Sequence, residues 1–149
     1  MVVTKTSAAP AGTVLAFDFG TERIGVAVGE TELGVAHPLA TVSNRAGVER
    51  FRAIEALIAQ WRPALLLVGL PTHADGTPHT MTARARRFAR QLEGRFTLPV
   101  AFTDERFTTR AASSALRDAA TRARDRKAVR DSVAAQLILQ DYLDRRLAS

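Results

Sequence analysis

Two almost uninterrupted apolar runs, Val14 to Phe19 and Ala64 to Val68, constrain the fold of this chain more than any other feature. A strand with one face in water alternates apolar and polar residues, whereas a continuous apolar run is typical of a strand buried on both faces. Strands of that kind lie inside a sheet that is covered by helices on both sides. The sequence therefore predicts an α/β domain built around these two strands.

Three more segments have the character of strands. Ile24 to Val28 follows the turn at Gly20 and is predicted to form a hairpin with the first run. Gly34 to Val42 contains Pro38, which lacks an N–H and so belongs at a sheet edge. Pro99 to Thr103 is the fifth strand, and helical segments alternate with the later strands. We predict a mixed five-stranded sheet of order 3-2-1-4-5 with helices on both faces. The carboxyl ends of strands 1, 4 and 5 would then meet at one functional site.

Apolar residues at three- and four-residue steps predict the helices. The predicted segments are Val48 to Trp61, Met81 to Leu92, about Thr108 to Ala119, and roughly Ala128 to Leu147. Residues 1–12 have no apolar run, so we expect a flexible N-terminal tail there, with no signal peptide, and a single domain over residues 13–149. No stretch is long and apolar enough to cross a bilayer, and we expect a cytoplasmic protein.

Positive charge is concentrated in two places. The window from Arg106 to Arg130 sums to +6, which equals the formal net charge of the whole chain. A second group consists of Arg84, Arg86, Arg87 and Arg90. Clusters of this kind attract polyphosphates through counterion release, which favours a nucleic-acid partner. The alternative is codon bias, because 19 of the 21 basic residues are arginine.

Acidic residues stand at the ends of two predicted strands. Asp18 lies in an apolar strand, where its carboxylate is costly unless a metal or a hydrogen-bond donor meets it. The alternative is an aspartate that opens the turn before Gly20. Asp104 and Glu105 follow the fifth strand and are predicted to point to opposite faces. One of them can enter a cleft while the other caps the next helix.

A further acid, Asp131, lies on a predicted helix in one stripe with Ala135, Ile138 and Tyr142. An acid in line with a buried face needs an explanation, although a first-turn acid is also favoured by the helix dipole. All these acids fall at one end of the predicted sheet or face it. Hard oxygen ligands in a chain without cysteine favour Mg²⁺ or Mn²⁺. Two such ions can together hydrolyse a phosphodiester.

The histidines are a weaker signal. His73, Asp75 and His79 could be described as a metal cluster, but the neighbouring Gly76 and Pro78 indicate an ordinary turn. His37 precedes Pro38 and is interpreted as structural.

Four segments resemble the YqgF family of bacterial ribonuclease H-like proteins. They are DFGTERIGVAV from Asp18, VGLPTHADG from Val68, DERFTT from Asp104 and DSVAAQLILQDYL from Asp131. The similarity runs from about Thr13 to Leu147. It implies a ribonuclease H-like fold and a divalent-metal nuclease that acts in 5′-end maturation of precursor 16S ribosomal RNA. Members of the family are also described as Holliday junction resolvases.

The resemblance implies roles for individual residues. Asp18, Glu105 and Asp131 would be the catalytic acids and would hold two Mg²⁺ or Mn²⁺ ions. Arg23, Arg106, Thr108 and Thr109 fall in the same motifs and would contact phosphate. The basic residues expected to bind nucleic acid are Arg122, Arg124, Arg126, Lys127 and Arg130. Glu22 departs from the family, which often has a basic residue there.

Other functions stay open at this point. The segment from Asp18 also looks like the first phosphate loop of the actin and sugar-kinase superfamily, but those proteins use two domains and a second glycine-rich loop. A module that binds nucleic acid without cutting it would be equally basic. Within the nucleases, the substrate could be precursor ribosomal RNA, alone or on a pre-ribosomal particle, or branched DNA. The chain could act as a monomer or a homodimer.

Overall fold

The computed structural model describes residues 2–3, 10–44, 49–70, 81–104 and 126–148. Its strands are β1 (Val2–Val3), β2 (Thr13–Phe19), β3 (Arg23–Glu30), β4 (Val35–Ser43), β5 (Leu65–Leu70) and β6 (Val100–Asp104). Its helices are α1 (Glu49–Trp61), α2 (Thr82–Phe96) and α3 (Arg126–Ala148). The helix predicted at about Thr108 to Ala119 lies outside the described residues.

The strands form one sheet of order β1-β6-β5-β2-β3-β4. Strands β2, β3 and β4 pair antiparallel, while β2, β5 and β6 pair parallel. Helices α1 and α2 pack on one face and α3 packs on the other. The five predicted strands therefore occur in the predicted order, and the mixed sheet with helices on both faces is confirmed.

One strand was not predicted. Val2–Val3 pairs in parallel with Val100 and Ala101, and so extends the sheet beyond β6. These two residues belong to the segment that the sequence analysis assigned to a flexible tail. Two residues are too few to show any periodicity, so the sequence carries no strand signal there.

Strand β2 separates two apolar cores. Leu15 and Phe17 face the core under α1 and α2, where the ring centroids of Phe17 and Phe88 are 5.9 Å apart. Val14 and Ala16 face the core under α3. Because side chains alternate along a strand, Asp18 continues the row on the α3 face. The acid thus lies at the end of an apolar row beneath a helix.

Helix α3 also covers the backbone of the edge strand β4. The Ala36 N–H donates to Gln140 Oε1 at 2.9 Å, and Gln140 Nε2 donates to the Gly34 carbonyl at 2.8 Å. Gln136 Nε2 donates to the Ala36 carbonyl at 3.1 Å. Unpaired backbone groups on an edge strand are a template for pairing with another chain, and these two glutamines occupy them. No helix of the described ranges combines the length and hydropathy needed to cross a membrane.

Candidate active site

Asp18 lies in a row of small residues across the sheet. The strand register aligns it with Gly25 of β3 and Gly69 of β5, and aligns Gly69 with Thr103 of β6. Residues directly opposite each other on neighbouring strands present their side chains on the same face. Asp18, which is half-buried, is therefore flanked on both sides by positions without a side chain. On the β3 side the space above Gly25 is filled by the backbone of α3, so this row of small residues makes room for the helix beside Asp18.

Helix α3 approaches the sheet at Gly25. A Cβ placed on Gly25 would lie 1.8 Å from the carbonyl oxygen of Asp131 and 3.1 Å from its Cα. Because Gly25 is the cross-strand neighbour of Asp18, the Asp131 Cα can be at most roughly 9 Å from the Asp18 Cβ. Two acids distant in sequence are thus brought to one end of the sheet, on one face.

The Asp131 carboxylate has a cationic partner. Arg23 Nε donates to Asp131 Oδ2 at 2.6 Å, and the two side chains are 34% and 22% exposed. A guanidinium–carboxylate contact of this length is a charge-assisted hydrogen bond. Arg23 Nη1 also lies 3.8 Å from Glu22 Oε2. Arg23, which the sequence analysis assigned to phosphate contact, therefore serves as the counterion of Asp131 in this structure.

The turn between Asp18 and Arg23 is fixed by hydrogen bonds. The Gly20 N–H donates to the Arg23 carbonyl at 3.0 Å. Asn44 binds the same turn twice: its N–H donates to the Glu22 carbonyl at 2.8 Å, and its Nδ2 donates to the Gly20 carbonyl at 2.7 Å. These bonds set the spacing between the end of β2 and the start of β3, and hence between Asp18 and Arg23.

The structure describes only part of the predicted site. Asp18 and Asp131 lie at one end of the sheet, on one face. Arg126, Lys127 and Arg130 belong to the first turns of α3. Six predicted site residues lie outside the described residues: Glu105, Arg106, Thr108, Thr109, Arg122 and Arg124. The same is true of His73, Asp75 and His79, while His37 is exposed on β4.

The chemistry of the donors fits a hard divalent cation. Asp18 and Asp131 offer carboxylate oxygens, and the chain contains no cysteine that would favour a softer metal. Mg²⁺ is commonly bound by one or two carboxylates and completes its shell with water and substrate phosphate. No group of three or more acidic or histidine side chains gathers within the described part of the chain. The two acids could hold Mg²⁺ or Mn²⁺, and a third ligand would have to come from elsewhere.

Sequence reasoning missed the residues that shape this site. Gly25 and Gly69 flank Asp18, and Asn44 secures the turn. A glycine inside a strand pattern often marks a close approach of another backbone, and that signal was available at Gly25. Nothing in the local sequence distinguishes Asn44.

The chain is similar in sequence to a known family and to individual named proteins. A family model described as RuvX: Holliday junction resolvase matches residues 12–145. A protein of Nitrosospira multiformis named "Putative pre-16S rRNA nuclease" is 54% identical over 145 residues, which is 97% of this chain and 96% of the relative. A protein of the same name from Dechloromonas aromatica is 54% identical and covers 89% of this chain and 91% of its own length.

The fold is similar to that of solved structures of RuvC. Thermus thermophilus RuvC superimposes with a TM-score of 0.51 at 15% identity and covers 91% of this chain and 96% of its own. RuvC from T. thermophilus in complex with Holliday junction substrate gives a TM-score of 0.50 at 16% identity, over 90% and 95% of the two chains. At such low identity the likeness shows a shared ribonuclease H-like fold.

Proposed function

The chain belongs to the RuvX family, and from that premise we propose that it is a divalent-metal-dependent nuclease whose preferred substrate is precursor 16S ribosomal RNA. The observation that carries the proposal is the approach of α3 to Gly25, which brings Asp131 beside Asp18. Two carboxylates on one face, at the carboxyl ends of parallel strands, are an arrangement suited to holding metal ions against a phosphodiester.

Glu105 is the proposed third acid. On β6, Ala101 faces the core under α3, whereas Val100 and Phe102 face the core under α1 and α2. If this alternation continues, Glu105 falls on the face of Asp18 and Asp104 falls on the other. The observed phase of β6 therefore supports Glu105 over Asp104.

The three acids would bind two Mg²⁺ or Mn²⁺ ions. When bound, such ions would supply activation of a water and stabilisation of the departing oxygen of the phosphodiester. The role of the acids would be to hold these ions against the phosphate that reacts. Arg23 would leave Asp131 when that carboxylate binds metal, and its guanidinium would then be available to a substrate phosphate.

The basic segment is the proposed substrate-binding region. Arg126, Lys127 and Arg130 lie in the first turns of the helix that carries Asp131. Arg106, Arg122 and Arg124, with Thr108 and Thr109, are assigned the same role from the sequence. We also assign the protein to the cytoplasm, where precursor ribosomal RNA is made.

Branched DNA is the second candidate substrate, and the description of the matching family favours it. The same pair of ions can hydrolyse RNA or DNA, so the acids do not choose between them. Precursor RNA ranks first because relatives at 54% identity bear the name of an RNA nuclease.

The test is cleavage of a precursor 16S RNA and of a four-way DNA junction, each with Mg²⁺ or Mn²⁺. We expect Asp18→Asn, Glu105→Gln and Asp131→Asn each to lose at least about 100-fold in rate, since even an outer-shell partner of a metal ligand is worth 10–100-fold. Asp141→Asn is the matched control, because its carboxylate pairs with Arg145 at 3.0 Å on the same helix. That variant should cut at the wild-type rate.

Binding separates a nuclease from an inert module. The three acid variants should bind RNA at least as tightly as wild type while they fail to cut it. If wild type binds but shows no metal-dependent cleavage, and loss of each acid only strengthens binding, the protein is a non-catalytic module. Cleavage of the junction alone would replace the RNA substrate with DNA.

A further inference from the structure

A second basic site lies on the opposite face of the sheet from Asp131. Phe19, Arg50, Arg84, Arg87 and Gln91 line a cavity of about 250 Å³. Arg50 comes from the first turn of α1, and Arg84 and Arg87 come from the first turns of α2. The described lining includes three arginines and no carboxylate, so the cavity is strongly positive.

Arg50 is held in a fixed orientation. Its Nη1 donates to Asn44 Oδ1 at 2.5 Å, its Nη2 donates to Gln91 Oε1 at 3.1 Å, and its Cζ lies 4.8 Å from the Phe51 ring centroid. Its Nε is buried and has no hydrogen-bond partner within the described residues. Burial, together with Arg84, Arg87 and Arg95, lowers the pKa of the Arg50 guanidinium from its ordinary value. The structure therefore confines a cation among like charges.

The surroundings of the cavity add to its positive field. Arg84 lies over the Phe19 ring with its Cζ 6.0 Å from the centroid. Helices α1 and α2 both begin at this end of the sheet. The positive end of a helix dipole favours an anion.

We propose that this cavity binds a backbone phosphate of the nucleic-acid substrate, at a distance from the phosphodiester that is cut. The inference rests on the proposed function insofar as the ligand is a nucleic acid. At about 250 Å³ the cavity is smaller than the roughly 300–1,000 Å³ of sites that enclose a whole small molecule. Its size suits a phosphate with part of a sugar, and planar guanidinium groups are the side chains best matched to phosphate oxygens.

The cavity and the acid site are joined through one turn. Asp18 and Phe19 are adjacent on β2, and their side chains lie on opposite faces of the sheet. Arg50 binds Asn44, and Asn44 binds the Gly20 carbonyl between the two sites. A strand that contacts both sites must cross the carboxyl edge of the sheet. A phosphate held at Arg50 would thus set which phosphodiester reaches Asp18.

The test is the salt dependence of binding, measured without divalent metal so that nothing is cut. A fluorescent single-stranded RNA with a 5′-hydroxyl end is titrated with wild type, with Arg84→Gln/Arg87→Gln, and with Arg86→Gln/Arg90→Gln. Both double variants remove two charges from α2, but only the first pair lines the cavity. A plot of log K against log[salt] falls with a negative slope. We expect Arg84→Gln/Arg87→Gln to make that slope less steep by about 1.4, or roughly 0.7 per lost contact. The second double variant should change the slope much less, because neither Arg86 nor Arg90 lines the cavity.

Equal slopes for both double variants would overturn the proposal, provided that both unfold at the wild-type temperature. A second readout avoids mutation: the Nε–Hε resonance of Arg50 should shift when the RNA is added to wild type. An unmoved resonance would also overturn it. Neither readout requires cleavage. Phosphate binding at the cavity can therefore be confirmed even if the acids prove inactive, and it can be refuted while nuclease activity is confirmed.

Discussion

The carbonyl oxygen of Asp131 lies 1.8 Å from the point that a Cβ on Gly25 would occupy. Gly25→Ala must therefore push α3 away from the sheet, since the obstruction is backbone and cannot rotate aside. We expect a loss of at least about 2 kcal/mol in the free energy of unfolding, within the range of overpacked cores. Urea titration followed by the fluorescence of Trp61, the single tryptophan, measures it. Metal affinity should fall as well, because α3 carries Asp131.

The matched control is Gly94→Ala on α2. A Cβ on Gly94 would meet nothing within 4 Å. Alanine in a helix is favoured over glycine by roughly 0.5–1 kcal/mol, so this variant should be slightly more stable than wild type. If Gly25→Ala changed the free energy of unfolding no more than Gly94→Ala does, α3 would not pack against β3 as closely as described.

Most of the fold could be predicted from the sequence because the strands and helices follow from local patterns of apolar residues. The apolar run that begins at Val14 identified the central strand, and the order of hairpins and helices allowed few topologies. The end of β5 was predicted at Val68, yet the strand continues to Leu70. Gly69 has the character of a turn in the sequence, and only its pairing with Asp18 and Thr103 makes it part of the sheet. Local pattern cannot show that kind of long-range pairing.

The sequence pointed to two acids of the candidate site but not to the contacts around them. Asp18 and Asp131 stood out because acids in apolar settings require a cause. The bond between Arg23 and Asp131 joins residues 108 positions apart and leaves no local trace. The same is true of Arg50 and Gln91, which are 41 positions apart. The charge pattern of the sequence indicated the arginines of α2, but not Arg50 of α1, which lines the same cavity.

The bond between Arg23 and Asp131 predicts a competition with metal. Arg23→Gln frees the carboxylate and removes a positive charge from the site. A partly exposed ion pair is worth up to about 1 kcal/mol, so Mn²⁺ should bind up to roughly fivefold more tightly in isothermal titration calorimetry. Nucleic-acid binding should weaken at the same time, because a phosphate contact is lost.

Arg145→Gln serves as the control for Arg23→Gln. Arg145→Gln changes the net charge by the same amount as Arg23→Gln. Arg145 Nε pairs with Asp141 at 3.0 Å near the other end of α3, away from Asp131. Its Mn²⁺ affinity should match that of wild type. Weaker Mn²⁺ binding by Arg23→Gln would mean that Arg23 organises the acids instead of competing for one of them.

The glutamines that cover β4 predict a stability effect at the sheet edge. Gln140→Ala removes the partners of the Ala36 N–H and the Gly34 carbonyl. We expect a loss of about 1–2 kcal/mol in the free energy of unfolding and faster hydrogen exchange at the Ala36 amide. Gln60→Ala, at an exposed position of α1, should change stability by less than about 0.5 kcal/mol. Unchanged exchange at Ala36 would show that Gln140 does not protect the edge.

The single tyrosine gives a pH prediction that one absorbance measurement can check. Tyr142 is only 2% exposed, and burial raises the pKa of its hydroxyl, with Arg146 acting in the opposite direction. The unfolded chain releases this proton near pH 10, while the folded chain retains it, so stability should fall as the pH rises above about 10. Tyrosinate absorbance should appear at higher pH in the native protein than in concentrated urea. The stability of Tyr142→Phe should decline less at alkaline pH than that of wild type. Equal midpoints of the tyrosine titration in the native and unfolded chains would contradict the burial of this hydroxyl.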